Sequence, residues 1–409
     1  MTAQADTLSP SAKPPLSRGE FIALVAMLFA TIAISIDAML PAMPQIEATL
    51  TPDAPNRAQL IIATFILGMG FGTLLTGPLS DAFGRKPVIM AGAAIYCAAA
   101  VACYFAGTLD MLLLARFFQG IGAAAPRTVS LAMVRDLYSG RQMASIMSYA
   151  MMVFMLVPAL APMLGQAVIY VASWHDIFLM YLVFSLVTIL WLGLRQPETI
   201  HPEDRKPLSF SGLVAAGKVM LNTPIALYSI LVQALLTGVI FSTISSIQGI
   251  FEKFFDQGSH FPFWFGGIAL LSSLASLVNA KLVVKVGMLR MIQTSLSVEL
   301  LLTAVFLAIL LSNPADWTFL FTCYLIWQVS VFSTMSLTMG NLNAIAMEPL
   351  GHIAGFASSI IASVATVLSI VIAVPVGQAF DGTPLPLVMG VTLFIALALI
   401  LTPKLKKRV

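Results

Sequence analysis

Charged residues are scarce in this chain of 409 residues. Lys, Arg, Asp and Glu make up only 10% of it, whereas soluble domains carry about 25%. Apolar residues make up 59%, and a water-soluble chain of this size would have to expose a continuous hydrophobic surface. The net charge of +3 is too small to indicate a nucleic-acid partner. The composition therefore excludes an ordinary soluble enzyme, a disordered protein and a nucleic-acid-binding protein, and it indicates an integral membrane protein.

Cysteine and histidine are also few. The three cysteines, Cys97, Cys103 and Cys323, lie inside apolar runs, and the four histidines are scattered at helix ends and in loops. This spacing fits neither a zinc site nor a disulfide framework. No phosphate-cradling loop of the type G-x-x-x-x-G-K-[ST] is present. We therefore expect no metal, no cofactor and no catalytic residue. Any work that the protein does across the membrane should draw its energy from an ion gradient rather than from ATP.

Long apolar segments are what the sequence has in abundance. A spanning helix needs about 20 mostly apolar residues, and these segments are too long and too uniform for transmembrane strands. The sequence therefore predicts an all-α integral membrane protein with 12 transmembrane helices. The predicted spans are 20–41, 58–77, 88–107, 110–133, 144–169, 176–195, 223–250, 262–283, 290–311, 316–340, 352–378 and 384–402.

Lysine and arginine predict the orientation. With the N-terminus placed in the cytoplasm, all but four of the 21 Lys and Arg residues fall in cytoplasmic segments. Arg57 and Lys253 lie on the other side, and Arg116 and Arg127 lie inside the fourth span. Cytoplasmic loops of membrane proteins carry such an excess of positive charge. We therefore expect both termini to be cytoplasmic.

The longest polar stretch, 196–222, divides the predicted spans into six and six. Secondary transporters are often built from two such halves, with the substrate path at their interface. We therefore predict a disordered N-terminus (1–19), a six-helix half (20–195), a cytoplasmic linker (196–222), a second six-helix half (223–402) and a basic tail (403–409).

Residues 77–87 read GPLSDAFGRKP, between the second and third spans. Glycines there allow close helix approach and a sharp turn, although a generic basic turn would look similar. The segment resembles the G-x-L-x-D-R-x-G-R-K signature of the major facilitator superfamily. RFFQGIGAAA (116–125) resembles the superfamily's R-x-x-Q-G-x-G-A-A motif. VPALAPMLGQ (157–166) and SIDAMLPAMPQI (35–46) resemble motifs of its 12-helix drug:proton antiporter branch, and the whole chain resembles the Bcr/CflA drug-resistance group.

The resemblance implies two pseudo-symmetric halves and a cytoplasmic gate that latches the inward side shut. The expected gate residues are Gly77, Asp81, Gly84, Arg85, Arg135 and Asp136. The resemblance also implies a helix-bend motif that favours export, formed by Pro158, Pro162 and Gly165. The chain departs from the group at Pro126 and Arg127, which stand where Gly-Pro is usual, so the substrate range is open.

Four charged side chains fall inside predicted spans, where a charge is costly and therefore a functional candidate. Asp37 lies roughly 26 Å along the first span, and Arg116 lies roughly 9 Å from the outer end of the fourth. At this matched depth the two side chains could pair or face each other across water. We expect Asp37 to be the protonation site, with a static ion pair as the alternative.

Two further intramembrane charges have more than one interpretation. Arg127 lies on the same helix face as Arg116 and could attract an anionic substrate or pair with Asp136 or Asp81. Glu299 is as consistent with a packing role as with coupling. Flexible or aromatic residues are candidates for the cavity lining, although such residues are also common in plain packing. The lining candidates are Met39, Tyr149, Met152, Met155, Phe241 and Trp327.

These observations predict a monomeric, multi-pass protein of the bacterial inner membrane with lipid, protons and a small-molecule substrate as its partners. We expect it to export amphipathic small molecules or drugs by proton antiport and alternating access. A dedicated metabolite or siderophore carrier, acting as exporter or importer, is the alternative within the same fold. A channel, a membrane-embedded enzyme and a non-transporting receptor fit the sequence less well.

Overall fold

The structure is a computed structural model that describes residues 16–406. Within these residues it contains α-helices and short helical turns, and no strand. The helices are α1 (Arg18–Asp37), α2 (Met43–Leu50), α3 (Leu60–Phe83), α4 (Arg85–Tyr104), α5 (Leu109–Leu137), α6 (Gly140–Val171), α7 (Asp176–Arg195), α8 (Phe210–Leu221), α9 (Pro224–Gly249), α10 (Phe261–Val286), α11 (Met288–Leu311), α12 (Trp317–Met347), α13 (Ala354–Gln378) and α14 (Leu385–Leu401). The all-α prediction is confirmed.

Eleven helical segments in the described part of the chain are long and apolar enough to cross a membrane. The fourth predicted span, α5, is not among them. It is 29 residues long, which is enough to span, but Asp110, Arg116, Arg127, Arg135 and Asp136 lower its hydropathy. The count of 12 spans therefore stays a prediction that depends on α5.

The first predicted span, 20–41, lies within one apolar helical segment, Arg18–Leu50, in which the α-helix is interrupted after Asp37. The helix α1 ends at Asp37, a short 3-10 turn covers Leu40–Ala42, and α2 follows. Pro41 and Pro44 stand at the starts of the turn and of α2, and they lack the N–H groups that would continue a helix. The break places Asp37 at a helix end.

Close helix packing explains the glycines of the 116–125 motif. A Cβ added at Gly120 would lie 1.9 Å from the carbonyl oxygen of Phe65 on α3. A Cβ added at Gly122 would lie 2.5 Å from the carbonyl oxygen of Gly92 on α4. Small residues let helix backbones approach in this way, and they position α5 directly against both neighbours.

The most extensive contacts between the helices before the linker and those after it are made by two helix pairs. The pair α3 and α13 is in contact at Gly70 and Val367, and again at Gly77 and Ser359. The pair α6 and α10 is in contact where Gly266 faces Ala159. The two ends of the bundle are named here by residues: the Arg85 end holds Phe83, Arg85, Leu137 and Arg195, and the Glu47 end holds Glu47, Asn56, Lys253 and Gln378.

The linker predicted over 196–222 contains a helix that the sequence interpretation missed. Helix α8 spans Phe210–Leu221, and its buried Ala216 and Met220 pack in a cluster with Ala226 of α9 and Leu350. At the chain ends, residues 1–15 of the predicted disordered segment and 407–409 of the basic tail lie outside the described residues. Arg18 and Gly19, which that prediction included, belong to α1.

Candidate functional site

Arg116 is fully buried at the break in the first span. Its guanidinium donates hydrogen bonds to the carbonyl oxygen of Ser35 (3.0 Å), to Oε1 of Gln119 (2.7 Å) and to the carbonyl oxygen of Ile61 (3.4 Å). It also lies 4.2 Å from the centre of the Phe65 ring, a cation–π geometry. Because α1 ends at Asp37, its last carbonyl groups lack helical partners, and a cation is stabilised at such a C-terminal end.

Asp37 is also buried, with 5% of its surface exposed. Among the described residues, no hydrogen bond or ion pair involves its carboxyl group. Arg116 contacts the main chain two residues earlier instead. The predicted pairing of Asp37 with Arg116 is therefore not formed in this structure, although both side chains lie at the same helix break.

The helix-bend motif lies against this break. A Cβ added at Gly165 would lie 1.8 Å from the carbonyl oxygen of Ala38, so α6 packs on the main chain immediately after Asp37. Pro162 is buried, Pro158 is half-buried, and α6 nevertheless continues from Gly140 to Val171. The motif positions a helix against the residue proposed to bind the proton, and only glycine fits at the contact.

The predicted gate residues form a polar cluster at the Arg85 end. The Arg85 side chain donates from Nε to Oδ2 of Asp136 (2.8 Å) and from Nη1 to Oγ of Ser80 (2.8 Å) and to Asp81. Only 4% of Arg85 is exposed. Arg135 is exposed and does not join these contacts. The cluster, defined as Ser80, Asp81, Arg85 and Asp136, ties α3, α4 and α5 together.

The linker supplies a residue that the sequence interpretation did not include in the gate. Glu198 accepts hydrogen bonds from the backbone N–H groups of Arg85 (3.0 Å) and Lys86 (3.1 Å), at the N-terminus of α4. Thr199 donates to Oδ2 of Asp136 at 3.1 Å. A carboxylate is stabilised at a helix N-terminus. The residues Pro-Glu-Thr at 197–199 are visible in the sequence, but the sequence does not show that they contact the N-terminus of α4 and Asp136.

The two gate glycines have different roles. Gly84 ends α3 and precedes α4 with φ of +106°, a region that residues with side chains rarely adopt. A Cβ there would also lie 2.6 Å from Oε2 of Glu198. Gly77 faces Ser359 of α13, whose Oγ would lie 2.5 Å from an added Cβ. Gly84 therefore shapes the turn, and Gly77 allows the contact between α3 and α13.

Glu299 lies in a separate hydroxyl cluster among α11 and α12. It is 1% exposed and accepts hydrogen bonds from Oγ1 of Thr303 (3.1 Å) and Thr334 (3.2 Å). The indole N–H of Trp327 donates to Oγ1 of Thr303 at 3.0 Å. Trp327, a predicted lining residue, is thus buried beside this cluster.

The other predicted lining residues do not share one described cavity. Met39 is fully buried, whereas Tyr149 and Met152 of α6 are 51% and 57% exposed. Met155 is half-buried. Phe241 borders a small cavity together with Gln59 of the segment before α3, on the Glu47 side.

Polar contacts close the Glu47 end. Lys253 and Glu47 form an ion pair at 2.9 Å. The Asn56 side chain donates to the carbonyl oxygens of Gln378 (3.0 Å) and Phe380 (2.7 Å), and the Gln378 side chain donates back to the Asn56 carbonyl at 2.7 Å. These contacts join helices before the linker to helices after it.

Arg127 differs from Arg116 in being exposed. Among the described residues, no carboxylate lies within 4 Å of its guanidinium. The two partners proposed for it, Asp81 and Asp136, both bind Arg85 instead. Arg127 therefore stands without a protein counterion on the same helix as the buried Arg116.

The helices and the buried charges define a multi-pass membrane protein, and the bacterial transporters described below indicate the inner membrane. The family model of the Major Facilitator Superfamily matches residues 23–374. The chain belongs to the Major Facilitator Superfamily, and it is a transporter rather than an enzyme. The resemblance predicted from its motifs is confirmed.

Curated relatives match most of the chain. An uncharacterized MFS-type transporter, YdgK of Bacillus subtilis (strain 168), is 26% identical over 94% of each chain. A bicyclomycin resistance protein homolog of Haemophilus influenzae is 28% identical over 84% of this chain and 85% of its own. The multidrug resistance protein MdtL of Klebsiella pneumoniae (strain 342) is 27% identical over 80% of each chain.

Solved structures show the same fold. The human organic anion transporter MFSD10 (TETRAN) superposes with a TM-score of 0.69 at 18% identity, covering 96% of this chain and all of that one. A D-xylose-proton symporter superposes with a TM-score of 0.73 at 13% identity, covering 94% and 97%. At such identities the likeness shows the fold alone.

Proposed function

We propose that this chain is a proton-coupled antiporter that exports amphipathic small molecules or drugs across the inner membrane by alternating access. The names of the relatives support export, since one is a bicyclomycin resistance homolog and another a multidrug resistance protein. Both match at least 80% of this chain. A dedicated metabolite or siderophore carrier would fit the fold equally but has no such support.

The carboxyl group of Asp37 is the observation that carries proton coupling. It is buried at the end of α1 without an ion-pair or hydrogen-bond partner among the described residues. An ionised carboxylate in such surroundings costs several kcal/mol, so the neutral acid is favoured. A rearrangement that brings Arg116 or water to Asp37 would favour release of the proton. Such a site binds a proton in one state and releases it in the other.

The contacts support a state that is open towards the Arg85 end. The Glu47 end is closed by the Glu47–Lys253 ion pair and the Asn56–Gln378 contacts. The described buried residues of α10 all lie in its first half, from Phe261 to Ser272, on the Glu47 side. Because positive charge accumulates at the Arg85 end, we assign that end to the cytoplasm. The arrangement is then inward-facing.

The cluster around Arg85 has a mechanical role in this proposal. It joins α3, α4, α5 and the linker through Asp81, Asp136 and Glu198. A rigid unit of this kind can rock against α13, which packs along α3 at Gly70 and Gly77. Only a few kcal/mol separate the states of such an equilibrium.

The finer architecture is part of the same proposal. We assign α5 as a membrane span, the fourth in chain order, which brings the count from 11 to 12. It packs between α3 and α4 and is long enough to cross the membrane. We assign α1–α7 and α9–α14 to the two halves, with the linker and α8 on the cytoplasmic side. The proton gradient is the energy source, no cofactor takes part, and the working unit is a monomer surrounded by lipid.

Everted vesicles from an efflux-deficient host test the proposal. Vesicles that contain the protein are energised to form a pH gradient, and bicyclomycin or another amphipathic drug is then added. Antiport predicts that the drug dissipates part of the gradient in these vesicles and not in vesicles that lack the protein. A response to one metabolite alone would favour the dedicated carrier, and gradient-independent flux that does not saturate would favour a channel.

A further inference from the structure

Helix α5 carries two arginines on one face. Arg127 follows Arg116 by 11 residues, which is three turns plus only about 20° at 100° per residue. Arg116 is buried against α1 and α3, whereas Arg127 is exposed. The same face is therefore closed near the Glu47 end and open towards the Arg85 end.

The exposed side of Arg127 is not the lipid-facing side of α5. The exposed apolar residues Met111, Leu114 and Phe118 lie on the opposite side of the helix from Arg116. Between the arginine side and this apolar side, α5 packs on α3 at Gly120 and on α4 at Gly122. The arc that holds Arg116 and Arg127 therefore faces the interior of the bundle.

The depth of Arg127 indicates water. The middle of α5 (Leu109–Leu137) falls at residue 123, so Arg127 lies only about 6 Å beyond it. A charged side chain at this depth faces a water-filled cavity or the bundle interior, because exposure to hydrocarbon is too costly. Since Arg127 is both exposed and on the interior face, its guanidinium is accessible to water from within the bundle.

The guanidinium has no protein ligand to neutralise it. Among the described residues, no ion pair or side-chain hydrogen bond involves it. The nearby acids of the Arg85 end, Asp81 and Asp136, are occupied by Arg85. The hydrogen-bond acceptors of Arg116 are two carbonyl oxygens and Gln119, which are all neutral. Among the described residues, no carboxylate lies within 4 Å of Arg116 to balance its charge either. The face carries two positive charges about 16 Å apart.

We propose that Arg127 is an anion-binding subsite of the transport cavity and that the favoured substrates are amphipathic anions bearing a carboxylate or sulfonate. The five N–H donors of a guanidinium match such groups in a bidentate geometry. The positive charge of Arg116 on the same face adds attraction at longer range. This inference rests on the proposed transport function and adds the substrate class to it.

Three probes that share one apolar fluorophore test the subsite. Dansyl-taurine is anionic, dansylamide is neutral and dansylcholine is cationic, so the three differ mainly in charge. Their binding is measured by fluorescence on the full-length protein in nanodiscs of zwitterionic lipid. The variants are Arg127→Ala, Arg127→Lys and, as a matched surface control, Arg290→Ala, whose exposed side chain stands at the start of α11.

The expected result is preferential binding of dansyl-taurine by the wild type, weakened about tenfold by Arg127→Ala, as for loss of one charge-assisted contact. Arg127→Lys keeps the charge but loses the bidentate contact, so its affinity should lie between those of the wild type and Arg127→Ala, and Arg290→Ala should retain the full affinity. Binding of dansylamide should change less than twofold, and binding of dansylcholine should stay equal or become tighter, because a repelling charge is removed. Equal affinity for all three probes, or an unchanged affinity in Arg127→Ala, would overturn the subsite and leave the proposed export intact.

Other outcomes separate the subsite from its alternatives. If Arg127→Ala changes binding only when anionic phospholipid is added to the nanodiscs, the guanidinium binds lipid headgroups and the substrate proposal is wrong. If no probe binds the wild type, while drug addition also leaves the pH gradient of everted vesicles unchanged, the proposed function fails together with the subsite.

Discussion

Replacement of Glu198 by Gln should loosen the linker from the Arg85 cluster. The carboxylate accepts from four backbone N–H groups, those of Arg85, Lys86, Thr199 and Ile200, at 2.8–3.3 Å. Oε1 accepts three of these hydrogen bonds and Oε2 accepts the one from Lys86. In glutamine an NH₂ group replaces one of the two oxygens, so at least one N–H donor would face another donor. Each hydrogen bond to a charged group is worth about 1.5–3 kcal/mol. Allowing for the half-exposed position, we expect a loss of about 2–3 kcal/mol.

Thermal unfolding and transport together measure this effect. A loss of 2–3 kcal/mol corresponds to a change of roughly 30- to 150-fold in an equilibrium constant, and we expect the midpoint in detergent to fall by a few degrees. Glu203→Gln is the matched control, since this glutamate is exposed in the same linker. Equal midpoints and equal drug-driven proton flux in the two variants would refute the role of Glu198.

Two further predictions concern the contacts around the proton site and at the Glu47 end. Gly165→Ala should lower transport at least tenfold, because its Cβ would collide with the main chain after Asp37. A drug-susceptibility assay in an efflux-deficient host measures this loss. The control Gly267→Ala, where a Cβ meets nothing within 4 Å, should transport normally. Lys253→Gln should open the Glu47 end about two- to fivefold more often, since an exposed ion pair contributes at most about 1 kcal/mol. Faster backbone hydrogen exchange over 55–59 in Lys253→Gln would show this opening. The charge swap Glu47→Lys with Lys253→Glu restores the ion pair and should return the exchange rate to that of the wild type. An unchanged exchange rate in Lys253→Gln would exclude the pair as a closing contact.

The spans were predictable because their signal is local. A run of about 20 apolar residues is sufficient to specify a membrane helix, and the predicted span 176–195 coincides with α7. The break after Asp37 was not predicted, although Pro41 and Pro44 were visible in the sequence. Prolines inside membrane helices are often tolerated, as Pro158 and Pro162 are in the continuous α6. Only packing around each proline distinguishes a break from a continued helix.

Parts of the Arg85 cluster were predictable, and one part was not. The motif resemblance predicted that Asp81, Arg85 and Asp136 belong to one gate, and the structure brings these three side chains together. Glu198 is more than 100 residues away from Arg85 in sequence, so no periodicity connects the two. Helix α8 was missed because its apolar run is too short to span a membrane and follows the most polar part of the linker.

Cavity-lining residues could not be chosen from residue type. An apolar side chain on a membrane helix has the same sequence pattern whether it faces lipid, the core or a cavity. Trp327 is buried beside Glu299 through its bond to Thr303, and Met152 is largely exposed. The charged residues were more informative, because their burial must be balanced by a partner, by water or by protonation.

The most direct test of the account is the Asp37→Asn variant in proteoliposomes. Two fluxes are measured with the same drug: exchange of labelled for unlabelled drug without a gradient, and accumulation driven by a pH gradient. The account predicts that exchange survives, since the cavity and Arg116 contacts remain, while gradient-driven accumulation is lost. Accumulation at the wild-type rate in Asp37→Asn would contradict the assignment of Asp37 as the proton-binding group.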